Sequence, residues 1–252
     1  MEQENREKKF DIKDIIEKYN IDLKKLEKEQ KELAKNLSIR DSIDFSNVER
    51  IGGISNVFFK NRIISAIVVL NSELEIIEQK YAEEKLKFPY IPGFRAYREL
   101  PAMVLCFNKL ENKPEIMFVS GHGISHERLG IASHFSLVTG IPAIGVADSM
   151  LAGKIKDEDI VLKEKIAGKV LQTKQGSKAI YISPGNLISL KSACELAKRF
   201  VKEPHKLPEP LHLAHKYARE VMKEINIWIY LNKNIPKHSA PACSIFLANS
   251  SL

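Results

Sequence analysis

Apolar residues recur every three or four positions from residue 12 to residue 38, then give way to short dense runs from Val48 onward. In the first stretch Ile12, Ile15, Ile16 and Tyr19, then Leu23, Leu26, Leu33 and Leu37, alternate with charged positions at helical spacing. Two amphipathic helices are predicted, with Asp22 placed to cap the second. The lysines of Leu23-Lys24-Lys25-Leu26-Glu27-Lys28 mix with glutamates, the pattern of a solvated helix face rather than of a nucleic-acid patch.

Three strand-like runs follow, Ile51 to Phe59, Ile63 to Leu70 and Leu74 to Tyr81, separated by Lys60-Asn61-Arg62 and Asn71-Ser72-Glu73. Such spacing predicts an antiparallel meander. The rhythm then changes to a helix over Ala96 to Leu105, a buried strand Ile116 to Val119, a helix Glu127 to Thr139 closed by Gly140, and a strand Pro142 to Val146. Strand-helix-strand alternation implies parallel pairing. Further strands are expected at Val161 to Leu162, Ile166 to Leu171 and Ala179 to Ile182, the last ending in a turn Ser183-Pro184-Gly185. Ser189 should cap a helix through Phe200, and a second amphipathic helix should span Leu211 to about Ile225. The fold class is therefore α/β, a mixed sheet flanked by helices. The apolar run Ile227-Trp228-Ile229-Tyr230 is expected to pack on the same core, with an edge strand or a dimer contact as alternatives.

Composition narrows the class. With 252 residues, 44% of them hydrophobic and 28% charged, the chain can bury one sizeable core. A net charge of +7 suits a polyanion, although an ordinary soluble protein can carry as much. Cys106, Cys194 and Cys243 lack the spacing of a disulfide framework or a zinc cluster, so buried free thiols are expected. The charged first ten residues and the lack of a long apolar window argue against secretion and membrane spanning, which leaves the cytoplasm as the expected location.

Two segments carry candidate chemistry. In Phe88-Pro89-Tyr90-Ile91-Pro92-Gly93 two prolines stiffen a tip bearing an aromatic and an aliphatic side chain, and Gly93 permits a sharp reversal into the next helix. A rigid apolar tip can wedge between stacked bases, and the same sequence also suits a strand-to-helix turn that packs on its own protein. The second segment, Ser120-Gly121-His122-Gly123-Ile124-Ser125-His126, follows a buried strand. Its glycines would let backbone amides approach a phosphate or a base edge, or would serve a tight packing turn.

Together these segments, in this order and spacing, resemble the endonuclease V family. The matched blocks include Pro89-Tyr90-Ile91-Pro92-Gly93, Arg98-Glu99, Gly121-His122-Gly123 with His126, and Gly130 with Ser133-His134. Similar agreement is found at Ile141 to Ala147, Ile180 to Gly185, and Leu207 to Pro210 with Leu213-Ala214-His215, so the likeness spans residues 20 to 225. The resemblance implies an RNase H-like fold over residues 1–225, with 226–252 as an extension, and a Mg2+-dependent nuclease that recognises inosine and other deaminated bases in DNA or RNA. Cutting at the second phosphodiester 3' to the lesion, a DNA-repair type of chemistry, goes with it. Tyr90 would be the wedge, aided by Ile91 and Pro92, while Gly93, Gly121 and Gly123 would help form the pocket for a flipped base. Glu99, His126 and His215 would be retained site positions; His122 and His134 read as structural.

Three positions depart from the family pattern. Its first-strand aspartate falls on Ser55, its second catalytic aspartate on Ser120, and its lysine on Asp148. Magnesium requires hard oxygen ligands in octahedral geometry, and a neutral hydroxyl cannot replace a carboxylate's charge. The expected consequence is a pseudoenzyme that binds nucleic acid and hydrolyses it poorly or not at all. Because the set keeps its net charge of −2, a displaced metal held by Glu99 and Asp148 with help from His126 is a second expectation. It would suit an active endonuclease, or one whose protein partner supplies missing groups; a regulatory or scaffold subunit is the third reading.

Overall fold

Residues 12–34 segregate their charged and apolar side chains as the spacing predicts. The computed structural model, which describes residues 12–234 and the side chains of 14–228, folds them into α1 (Ile12–Lys18) and α2 (Leu23–Ala34). Asp22 accepts the backbone N–H of Lys25 at 3.0 Å, satisfying one free donor at the start of α2.

The meander forms next, as β1 (Ile51–Phe59), β2 (Arg62–Leu70) and β3 (Ile76–Lys85). The third run starts later than its apolar pattern suggests. Asn71 Oδ1 accepts the N–H groups of Glu73 and Glu75 at 3.1 and 2.8 Å, which keeps Leu74 in the turn at φ +66°. Then come α3 (Arg95–Asn108), β4 (Ile116–Ser120), α4 (Ile131–Thr139) and β5 (Ala143–Ala147). A three-strand arm, β6 (Lys154–Lys156), β7 (Asp159–Leu162) and β8 (Lys165–Leu171), precedes β9 (Ile180–Asn186), α5 (Leu190–Arg199) and α6 (Glu209–Asn234).

All nine strands join one sheet in the order β3-β2-β1-β4-β5-β9-β8-β7-β6. Only the β1/β4 and β4/β5 pairs are parallel; the rest are antiparallel. Helices cover both faces, which explains why β2 is buried from Ile63 to Leu70 rather than alternating. On one face α3 and α4 pack Met103, Phe107 and Phe135 against Ile54, Met117 and Val119, with the Phe107 and Phe135 rings edge-on at 5.7 Å. On the other, α5 and the start of α6 bury Phe200, Leu196 and Leu211 against Ile51, Phe118 and Ile144. Each such side chain contributes about 1.5–3 kcal/mol when fully buried. The expected α/β, RNase H-like mixed sheet flanked by helices is thus present.

One close approach sets the position of α6. A Cβ on Gly53 would lie 2.2 Å from the backbone of Pro210, so only glycine lets the start of α6 cross β1 there. Residues later in α6, His215 among them, then reach β1.

Three expectations are corrected. The helix predicted from Glu127 begins at Ile131, because tertiary bonds hold the preceding loop: Arg128 N–H donates to the His126 ring at 3.1 Å and Ala132 N–H to the His122 carbonyl at 3.0 Å. Ser183-Pro184-Gly185 is strand, not turn. It pairs with β5 across an irregularity beside Ile144, and the Pro184 carbonyl accepts Ile124 N–H at 2.9 Å. The apolar run at residue 227 continues α6, which crosses the boundary expected at 225/226 without a break, and Ile227 and Trp228 are 59% and 60% exposed rather than packed on the core. Pro236, Pro241 and the rest of the tail lie outside the described residues, as does Cys243. Cys106 and Cys194 are buried free thiols, and burial pushes them up to about 12 and about 11. Among the described residues, no helix is long and apolar enough to cross a membrane.

Candidate functional site

Sheet register sets three of the expected positions on neighbouring strands: Ser55 midway along β1, Ser120 at the end of β4 and Asp148 just past β5. The last β1/β4 pair is Ile54 with Val119, so Ser55 and Ser120 are the next residues along; Ser120 pairs with Val146 on β5, and Asp148 directly follows that strand. From the helices, α3 brings Glu99 and α6 brings His215. Ser55, buried in β1, lies with its Oγ 3.1 Å from His215 Nδ1.

Glu99 is the centre of a buried polar row. Asn56 Nδ2 donates to Glu99 Oε2 at 2.7 Å, and Ser65 donates to Asn56 Oδ1 at 2.6 Å. Arg95, one turn earlier on α3, grips the same carboxylate with two donors: Nε to Oε1 at 2.5 Å and Nη2 to Oε2 at 2.9 Å. The Glu99 side chain is 3% exposed, whereas Arg95 retains 37%. The remaining guanidinium nitrogen, Nη1, faces Gly121 beside Ser120, where a Cβ would lie 2.9 Å from it.

The other expected groups are engaged elsewhere. Asp148 is exposed and paired with Lys206 at 2.6 Å. His126 accepts the Arg128 backbone N–H on its Nδ1, so its ring is neutral; burial first, then Arg128 and His122, hold it down to about 4. Burial also lowers His215, with Arg219 adding to the shift and Asp148 opposing it. His122 Nε2 lies 2.9 Å from the Ser149 carbonyl and His134 is buried against Tyr97, which fits their structural reading.

The tip divides its labour differently from expectation. Tyr90 is 61% exposed and Pro92 is exposed, but Ile91 is 3% exposed and anchors the tip in the core, so the exposed apolar surface of the tip comes from Tyr90 and Pro92. Gly93, at φ +80°, makes the predicted reversal. Its carbonyl accepts from Gln30 of α2 at 3.1 Å, and Gln30 in turn accepts from Arg128 at 2.7 Å, so α2 and the His126 loop brace the tip together. Arg98 lies over the Phe58 ring at 4.8 Å and within 6.0 Å of Tyr90.

The glycine turn is a packing device. Gly121 N–H donates to the Val146 carbonyl at 2.8 Å and Gly123 N–H to Ser183 Oγ at 2.8 Å, so neither amide is free for a ligand. A Cβ on Gly123 would lie 2.1 Å from the Pro184 oxygen, which is why β9 and this turn can touch. The expectation that both glycines present amides to a phosphate or base is corrected accordingly.

The donor set does not fit magnesium. Both Glu99 oxygens are bonded to Arg95 or Asn56, Asp148 is bonded to Lys206, and Ser55 and Ser120 are neutral. No group of three or more His, Cys, Asp or Glu among the described residues is placed to hold a metal ion. A displaced metal on Glu99 and Asp148 would have to displace Arg95 from the first and Lys206 from the second.

Sequence reasoning missed Arg95, Asn56, Gln30 and Lys206. Arg95 and Glu99 stand four apart on a helix, a legible pair, but starting that helix at Ala96 hid it. Lys206 and Gln30 reach their partners only through tertiary folding.

Comparison with known proteins places this arrangement. The Endonuclease V family model matches residues 31–216. Endonuclease V of Thermosipho melanesiensis is 38% identical over 206 residues, covering 78% of this chain and 90% of that protein. The crystal structure of endonuclease V from Streptomyces avermitilis superposes with a TM-score of 0.76 at 25% identity, over 81% of this chain and 95% of that one. Endonuclease V of Ciona intestinalis, solved with a 24mer DNA containing an inosine followed by a ribo-adenosine, gives 0.72 at 26% identity, over 81% and 98%. With the family model, the sequence relatives and the structural match in agreement, the chain belongs to the endonuclease V family.

Proposed function

We propose that this family member binds DNA or RNA at inosine or other deaminated sites and does not cleave it. The observation that carries this reading is the carboxylate of Glu99, closed off by Arg95 and Asn56, with Ser55 preceding Asn56 on β1 and Ser120 ending β4 where the resemblance calls for acids. Phosphodiester hydrolysis by the family's route needs a metal that anchors the phosphate and activates water, and losing one preorganised electrostatic group typically costs about 100- to 1000-fold in rate. Binding is supported by the exposed, braced Tyr90 tip and by the inosine-containing DNA held by the Ciona relative.

Incubation with inosine-containing DNA and RNA, in magnesium and in manganese, should give no specific product above a Glu99→Ala control. Specific cleavage by the wild type alone would reject the non-cleaving reading. For the binding half, Tyr90→Ala should weaken an inosine-containing strand by about 1–3 kcal/mol if the ring stacks on a base. Fluorescence anisotropy with equal affinity for the two proteins removes Tyr90 from the interface. Absence of any salt-sensitive binding would instead favour a scaffold role.

A further inference from the structure

We propose that Arg95 is the resident cation of this site: its guanidinium neutralises Glu99 in place of a divalent metal and holds a nucleic-acid phosphate without one. The inference rests on the nucleic-acid-binding reading and specifies which group meets the backbone. A planar guanidinium has five N–H donors in a fixed fork. Two of them, on Nε and Nη2, are spent on the two oxygens of Glu99, which fixes the plane of the group. Nη1 has no hydrogen-bond partner among the described residues, and it lies against the bare face of Gly121, beside the Ser120 position of the strand end. The side chain is 37% exposed while its carboxylate partner is 3% exposed, so the pair is anchored in the protein at Glu99 and reaches the surface through the arginine.

The pairing also explains how Glu99 stays buried without a metal. An isolated carboxylate at that depth would be strongly disfavoured, and a bidentate arginine compensates it. A bound phosphate would then bring its own negative charge to the outer edge of the guanidinium, where the remaining donors point. Arginine is suited to this double role because it stays protonated and binds oxyanions along two edges. Binding through Arg95 is therefore metal-independent.

The test uses the full chain and a fluorescein-labelled single-stranded 20mer RNA and DNA containing one inosine, read by anisotropy across a salt series. Wild-type affinity should agree within about 2-fold between EDTA and magnesium. Arg95→Leu should weaken binding about 10-fold and reduce the slope of log K against log salt by about 0.7, the contribution of one phosphate contact on a single strand. Because Arg95→Leu leaves Glu99 unpaired, the double variant Arg95→Leu/Glu99→Gln removes both charges; it should show the same loss of binding and slope with a wild-type melting temperature. Arg95→Lys should restore the slope. Binding abolished by EDTA, or affinity and slope unchanged in Arg95→Leu and the double variant, overturns the assignment while leaving nucleic-acid binding intact. Failure of the wild type to bind either strand overturns the binding reading and the assignment with it.

Discussion

Ser55→Asp and Ser120→Asp combined with Arg95→Leu should give magnesium-dependent cleavage of inosine-containing strands at least about 100-fold above the wild-type background. The two aspartates would extend from neighbouring positions on β1 and β4, and removal of the guanidinium would free Glu99 Oε1 and leave Oε2 with Asn56 as its one remaining donor. Magnesium needs such a set of hard oxygens and tolerates little distortion. The same two aspartates with Arg95 kept should stay near background, because the arginine remains seated on Glu99 where a metal would compete for the same oxygens. Stability offers a second readout. Ser55 is buried, so a carboxylate introduced there, close to Glu99 and to the other introduced carboxylate, should lower the melting temperature of the triple variant in EDTA and recover it in magnesium. Equal cleavage with and without Arg95 would show that the serines alone are responsible for the loss. No cleavage and no magnesium-induced stabilisation in the triple variant would reject the cleft as the site of the lost chemistry.

Much of the scaffold was legible because local pattern and tertiary environment agree. The meander, the parallel strands β4 and β5 and the caps at Asp22 and Ser189 follow from dense apolar runs, turn residues and short polar side chains next to free amides. Misreadings cluster where long-range bonds override local preference. Pro184 and Gly185 look like a turn in sequence, yet pairing with β5 and the bond from Ile124 make them strand. Glu127 and Arg128 suit a helix start, but the reach of Arg128 back to Gln30, 98 positions away, keeps them in a loop. In the site itself, the family resemblance pointed to Ser55, Glu99, Ser120 and His215; the fold sets Ser55 against His215 and brings Arg95, paired with Glu99, beside Gly121 next to Ser120. The partners were not legible. Whether a carboxylate is open to a metal depends on which cation folding delivers to it, and neither the Arg95 grip nor the Lys206 bond to Asp148 is a property of the motifs.

Acid should destabilise this protein well before its carboxylates titrate. Burial lowers His122, His126, His134 and His215 from their ordinary value of 6.5, so all four are held neutral in the folded state. The sign follows from proton counting: below pH 6.5 the unfolded chain takes up protons that the folded chain refuses, so stability is complete above that pH and is lost as pH falls towards the folded value. For His126 that value is about 4, which places the window between pH 6.5 and 4. Carboxylates held low in the native state, such as Glu78 and Asp41, act below the ordinary values of 4.5 and 3.8, so the histidine effect appears first. From pH 7.5 to pH 5 His126 alone should remove on the order of 2 kcal/mol, about 4–8 °C in melting temperature for a domain of this size. The other three histidines add to the same slope. Because His126 Nδ1 accepts the Arg128 amide, His126→Asn keeps an acceptor near that position without a titrating ring. Its melting temperature should therefore fall less than the wild type's over the same interval. Parallel curves for the two proteins would mean that His126 accepts its proton in the fold, and that the loop bracing the Tyr90 tip does not depend on a neutral ring.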